Sequence, residues 1–221
     1  ELRTALHGWC RDIRDLGFLP EGEMHSRSVG TTPYEMARQG EKYPFDKIFA
    51  AADLATQRGR KDLGKLKGFL KDSDSAVRYW GAIGILNRGA AAVKESVTEL
   101  KAALKDGSPY VRVASAYALG KYGQGQELQR LGIDVLLAEA PWQGDQPVFA
   151  SMVALNALDK LDGKAAYAKD RIAKFPSSGG NSPDGRYNGY VGNLLTKTLD
   201  DLGVKPEAPA RKKGGKKNAK K

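Results

Sequence analysis

Cysteine, histidine and long apolar runs are what this chain has least of. Its 221 residues include one cysteine, Cys10, and two histidines, His7 and His25. A lone cysteine excludes an internal disulfide. Beside Trp9, on a stretch with helical pattern, Cys10 reads as a small buried apolar residue. His7 lies three residues before it, on the same helix face, but nothing nearby completes a nucleophilic site. No apolar run approaches the ~20 residues of a membrane-spanning helix, so no membrane partner is expected. Strand-like alternation is missing too: apolar residues recur at three and four throughout. The chain opens at Glu1, and the absence of an initiating Met reads as a processed chain or a fragment.

Charge is plentiful but uneven. The net charge is +10, and the stretch after Ala210 supplies seven cations: Arg211, Lys212, Lys213, Lys216, Lys217, Lys220 and Lys221. The rest of the chain is only mildly basic, so the high isoelectric point belongs mainly to the tail. With no apolar residue larger than alanine after Val204, residues 204–221 are expected to be disordered. Such a tail attracts polyanions, a sulfated glycan among them. No aromatic interleaves its lysines, so base stacking and sequence-specific nucleic-acid binding are not indicated.

Two passages repeat. Leu70, Asp72, Val77, Arg78 and Gly89 recur as Leu104, Asp106, Val111, Arg112 and Gly123, each 34 residues on. A fixed period of this size marks a stacked repeat of helical hairpins. In each copy a first helix ends near Lys-Asp, a polar turn follows, and Val-Arg opens a second helix rich in small residues, as close stacking requires. A third copy is looser: Ile133 to Leu137, a long turn from Ala140 to Pro147, then a helix from Val148 to Leu158. A fourth would pair a helix over 165–175 with a capping helix from Tyr187 to Leu202, across a Gly/Ser/Pro loop.

Upstream, Leu2, Leu6, Trp9, Ile13 and Leu16 follow at spacings of 4, 3, 4 and 3. This is an apolar helix stripe that needs a surface to cover it. Residues 17–32 read as extended or irregular. Thr32 and Pro33 open a short helix, and Pro44 opens another. The expected fold is therefore all-α: an α-solenoid of about four helical hairpins over residues 44–203, an N-terminal docking helix and linker over 1–43, and a basic tail.

Leu…Leu-x-Asp…Val-Arg…Ala-Leu-Gly resembles HEAT-like repeats of the PBS-lyase type. The resemblance implies that Asp72, Arg78, Asp106 and Arg112 form a structural ladder between neighbouring repeats. A second resemblance covers residues 1–57. Leu6-His-Gly-Trp9, Asp15 to Glu21, Thr32 to Glu35, Lys42 to Pro44 and Ile48 to Ala55 are similar to the end of bacterial sulfatases of the arylsulfatase or heparan N-sulfatase kind. It implies a parent that hydrolyses sulfate esters or N-sulfates with formylglycine and calcium in the periplasm or outside the cell. This chain would be its non-catalytic accessory region, with Leu2, Leu6, Trp9 and Ile13 docked on the catalytic domain in cis.

The chain does not itself carry that chemistry. Cys10 is followed by Arg-Asp-Ile-Arg and so departs from Cys/Ser-x-Pro-x-Arg. No catalytic, cofactor-binding or metal residue is assigned. The alternative is a free-standing scaffold for a protein or polyanion, with Tyr110, Trp142, Tyr187 and Tyr190 as candidate surface aromatics, although the commoner reading makes most of them core or capping residues.

Overall fold

The structure is a computed structural model that describes residues 1–57, 59 and 61–204. The basic tail and its seven cations lie outside these residues. The described part is helical, without strands: α1 (Leu2–Ile13), α2 (Glu21–Arg27), α3 (Pro33–Met36), α4 (Phe45–Thr56), α5 (Leu63–Phe69), α6 (Ser75–Asn87) and α7 (Ala90–Glu95), then α8 (Val97–Ala103), α9 (Pro109–Tyr122), α10 (Gln126–Glu139), α11 (Val148–Asp159), α12 (Lys169–Ile172) and α13 (Tyr190–Asp201).

The two clear copies are the hairpins α5–α6 and α8–α9, and α10–α11 is the looser third. The helices α4, α6, α9, α11 and α13 lie side by side in succession, with α5, α8 and α10 packed on their partners. Asp74 caps α6 by accepting from the backbone N–H groups of Ala76 and Val77. Pro109 starts α9 at a position where its missing N–H is no loss. Close stacking depends on the small residues. A Cβ on Gly132 of α10 would lie 2.4 Å from the Ala116 carbonyl oxygen of α9. At the centre of the stack, α9 is buried nearly all round, from Tyr110 to Gly120.

Two cores result. The larger runs through the hairpins from Leu63 to Leu199. The smaller joins Cys10, Leu19, Met36, Tyr43, Phe45, Ile48 and Val77, so the N-terminal region packs on α4 and on the start of α6. The stretch expected to be an irregular linker is thus built into the fold. It contains α2, held mainly by polar contacts, and α3, closed by a reciprocal Thr32–Glu35 capping box.

The helix expected over 165–175 is broken into a 3-10 turn, Ala166–Ala168, and α12. Ala165, Ala168 and Ile172 are still buried. The first two are three apart, a spacing that a 3-10 turn also places on one side.

Candidate functional site

The second helices α6, α9 and α11 form a continuous face, and the chain lays its own segment Phe18–Arg27 across it. Three contacts seat this segment. Trp80 Nε1 donates to the Phe18 carbonyl at 2.8 Å. The Tyr110 hydroxyl fills the space where a side chain at Gly22 would project: a Cβ there would be 1.5 Å from it. His25 stacks on Phe149, rings 5.2 Å apart and nearly parallel.

Glu23 fastens the segment. Only 4% of the residue is exposed. Ser75 Oγ donates to Glu23 Oε2 and Ser108 Oγ to Glu23 Oε1, each at 2.8 Å. These serines stand at the start of α6 and α9, so one carboxylate bridges two successive repeats at helix N-termini, where negative charge is favoured. Arg27 pairs with Glu23 at 2.7 Å and grips Asp74 through two bonds of 2.9 Å. Burial opposes ionisation of Asp74, but the hydrogen bonds and charge of Arg27 outweigh it and hold the carboxyl below its ordinary value. Burial, then the Glu23 charge, pushes the Tyr110 phenol upward.

Along the turns runs an ion-pair ladder. Arg78 binds both oxygens of Asp106, at 2.6 and 2.8 Å, and also donates to the Asp72 carbonyl at 2.9 Å. Arg112 repeats the pattern: it donates to the Asp106 carbonyl at 2.7 Å and binds both oxygens of Glu139, at 2.6 and 3.0 Å. Asp72 pairs with Lys47 at 2.6 Å. Asp72 and Asp106 also accept, each at 2.8 Å, from the backbone N–H two residues on. The four residues therefore tie neighbouring units together, and Lys47 and Glu139 complete the series at its ends. Sequence reading missed Glu139 because the third copy has drifted: position 140 is alanine, and the acid lies one residue earlier with a longer side chain.

The stripe on α1 is placed differently. Arg3 pairs with Asp53, Arg11 with Asp46 at 2.7 Å, and His7 meets the Phe49 ring edge-on at 4.8 Å. That side of the helix holds α1 against α4. The apolar side faces solvent: Leu2 is 88% exposed, Leu6 53%, Trp9 61% and Ile13 43%. Cys10 is buried. Of the four aromatics considered as surface contacts, Tyr110 and Trp142 are buried in the core and Tyr190 is half exposed; Tyr187 packs edge-on to Phe149 at 4.9 Å. Burial is the better place for Trp142, whose ring fills the space beside Gly180 while its Nε1 donates to the Asn181 carbonyl.

His25 is committed to aromatic stacking and His7 to the α4 contact. Among the described residues no three His, Cys, Asp or Glu side chains converge as a metal-holding group.

Residues 64–138, from α5 to the end of α10, match the family model described as HEAT repeats. The stack is HEAT-like. The chain matches no curated protein and no solved structure. The HEAT-like stretch contains the Arg78–Asp106 rung and the start of the Arg112–Glu139 rung, while the segment carrying Glu23 and Arg27 lies outside it.

Proposed function

We propose that this chain is a non-catalytic HEAT-like accessory module that presents α1 as a docking helix. The observation that carries the reading is the stripe of Leu2, Leu6, Trp9 and Ile13, left in solvent while the opposite side of the same helix is bound to α4. Contiguous apolar surface on an ordered element marks an interaction site, and burying such side chains contributes about 1.5–3 kcal/mol each. The resemblance of residues 1–57 to sulfatase ends supplies the partner: a sulfatase catalytic domain in cis, with the helical repeats flanking its substrate cleft. Formylglycine and calcium would belong to that domain. Sulfate-ester or N-sulfate hydrolysis would be the activity of the whole protein.

Two measurements test this. The purified chain is expected to show no aryl-sulfate turnover, and turnover would overturn the non-catalytic reading. A Cys/Ser-x-Pro-x-Arg motif is expected several hundred residues upstream in the same reading frame; a frame without one would remove the sulfatase parentage and leave the docking helix standing. The tail carries a separate expectation. Its seven cations should retain the chain on heparin with a steep salt dependence, and deletion of residues 205–221 should abolish that retention. Unchanged retention would place polyanion binding on the rest of the chain instead.

A further inference from the structure

The segment Phe18–Arg27 covers only part of the face made by the second helices. Beside Pro20 and Glu21 the same face continues as an open groove of about 420 Å³. Its walls are Tyr79 and Ile83 of α6, Val113 and Tyr117 of α9, and Met152 and Val153 of α11. Val153 is 37% exposed. The groove is therefore continuous with a surface that already holds a polypeptide segment, and it is made by the same three helices. One acid lines it: the Glu21 carboxylate lies 3.5 Å from the Tyr187 hydroxyl and 4.0 Å from His25. Asn156 and Lys160 lie along α11 and at its end; Lys160 is 3.6 Å from Asp159, a carboxylate already bound by Lys197 at 2.8 Å.

At the far end of α9, Lys121 Nζ donates to the Tyr117 hydroxyl at 3.2 Å and lies over the rings of Tyr117 and Tyr122. No carboxylate among the described residues pairs with Lys121. Its ammonium pKa is raised, chiefly by the hydrogen bond to Tyr117. The Tyr117 hydroxyl accepts from Lys121 and keeps its own proton free to donate.

We infer that this groove binds an amphipathic acidic segment of a partner protein, lying beside α2. Its apolar side chains fill the space between Ile83, Val113 and Val153, and a carboxylate at one end meets Tyr117 O–H, Lys121 and Lys160. Apolar burial supplies the affinity, and the lysines set the orientation and reject basic segments. The inference stands apart from the docking helix: it concerns a different surface and does not depend on the sulfatase parentage.

The test is selection of a random peptide library displayed on phage against the full chain, followed by affinity measurements on synthetic versions of the enriched peptides. The expected peptides carry apolar residues at i and i+3 or i+4 with an Asp or Glu at one end. Val153→Glu should weaken them about tenfold, and Lys160→Gln about threefold, as suits an exposed charge. Both positions are exposed, so both variants should keep the parent unfolding midpoint. Replacing the peptide's acid by lysine should weaken binding to the parent chain by a similar factor. Failure to enrich any peptide, enrichment of basic peptides, or binding indifferent to Val153→Glu would overturn the inference. The last of these would assign the acidic peptides to the lysine-rich tail, and competition by peptides spanning α1 would assign them to the docking stripe.

Discussion

Helices α1 and α9 invert the usual reading of apolar pattern. The first has the cleanest apolar stripe in the chain, and that stripe faces solvent. The second shows no preferred side, and it is enclosed at the centre of the stack, with Tyr110, Val111, Val113, Ala114, Ala116, Ala118 and Leu119 all buried. A helix that borders one neighbour needs one apolar side; a helix surrounded by α6, α8, α10 and α11 needs apolar or small residues everywhere. Periodicity thus reports how many sides of a helix want cover. It does not say what covers them.

The comparison breaks most sharply in the core of α9. Leu119 is fully buried, and Leu119→Ala should destabilise by about 2–5 kcal/mol through lost burial and the cavity left behind. For a chain of this size that lowers the thermal midpoint by roughly 10 °C. Calorimetry would check it. A shift no larger than that of a surface substitution would mean that α9 is not the centre of the stack.

Between the two extremes stands α2, which has neither a stripe nor a core. Its hold is the buried Glu23 carboxylate, shared by Ser75, Ser108 and Arg27. Glu23→Gln leaves a neutral amide facing Arg27, and a loss of about 1–3 kcal/mol is expected. The loss should appear locally: by hydrogen exchange, the amides of α2 should open while those of α9 keep their protection. Equal loosening of both helices would show that the segment is not a separable clasp.

The Asp74 arm of this clasp adds a pH dependence. Its carboxyl is held below the ordinary value, so its stabilisation is present in full above the unfolded carboxyl value of about 3.9. The contribution is lost as pH falls through the lower folded value. Asp74→Asn should therefore be less stable than the parent at neutral pH, with the difference closing as the medium is acidified below about pH 4. A difference that stayed constant in acid would mean that the Asp74 cap, and not its charge, is what matters.

These cases also show what could be read in advance. The 34-residue offset placed the first two hairpins, and the resemblance to HEAT-like repeats singled out the ladder residues Asp72, Arg78, Asp106 and Arg112; a stacked repeat presents equivalent residues at equivalent turns. Glu139 escaped because the third turn is longer and the acid moved by one position. The Glu23 clasp escaped for a different reason: its partners Ser75 and Ser108 are 52 and 85 residues away. Nothing local in Glu21–Arg27 signals such contacts. Its hold joins the polar clasp to single contacts of Gly22 with Tyr110 and His25 with Phe149, and such isolated tertiary contacts leave no period. Tyr110 and Trp142 follow the commoner of the two readings the sequence allowed and are core residues, their rings filling the spaces left at Gly22 and Gly180.

The smallest expected effect on stability belongs to the most conspicuous apolar residue. Trp9 is 61% exposed, so little of its ring leaves water when this chain folds. Trp9→Glu should change the unfolding free energy by no more than about 0.5 kcal/mol, like other surface substitutions. It should also leave the Arg3–Asp53 and Arg11–Asp46 contacts in place, since these lie on the other side of α1. A docking residue predicts the opposite balance: almost no change in folding, and at least about a tenfold loss in binding to the domain that covers the stripe. The two quantities separate the possibilities cleanly. If Trp9→Glu unfolds the chain as readily as Leu119→Ala, the stripe is covered within the chain itself and α1 is a core helix like α9. If folding and binding are both unchanged, the stripe is surface that no partner uses. Only stable folding together with lost binding fits a helix held on one side by its own solenoid and on the other by a neighbour.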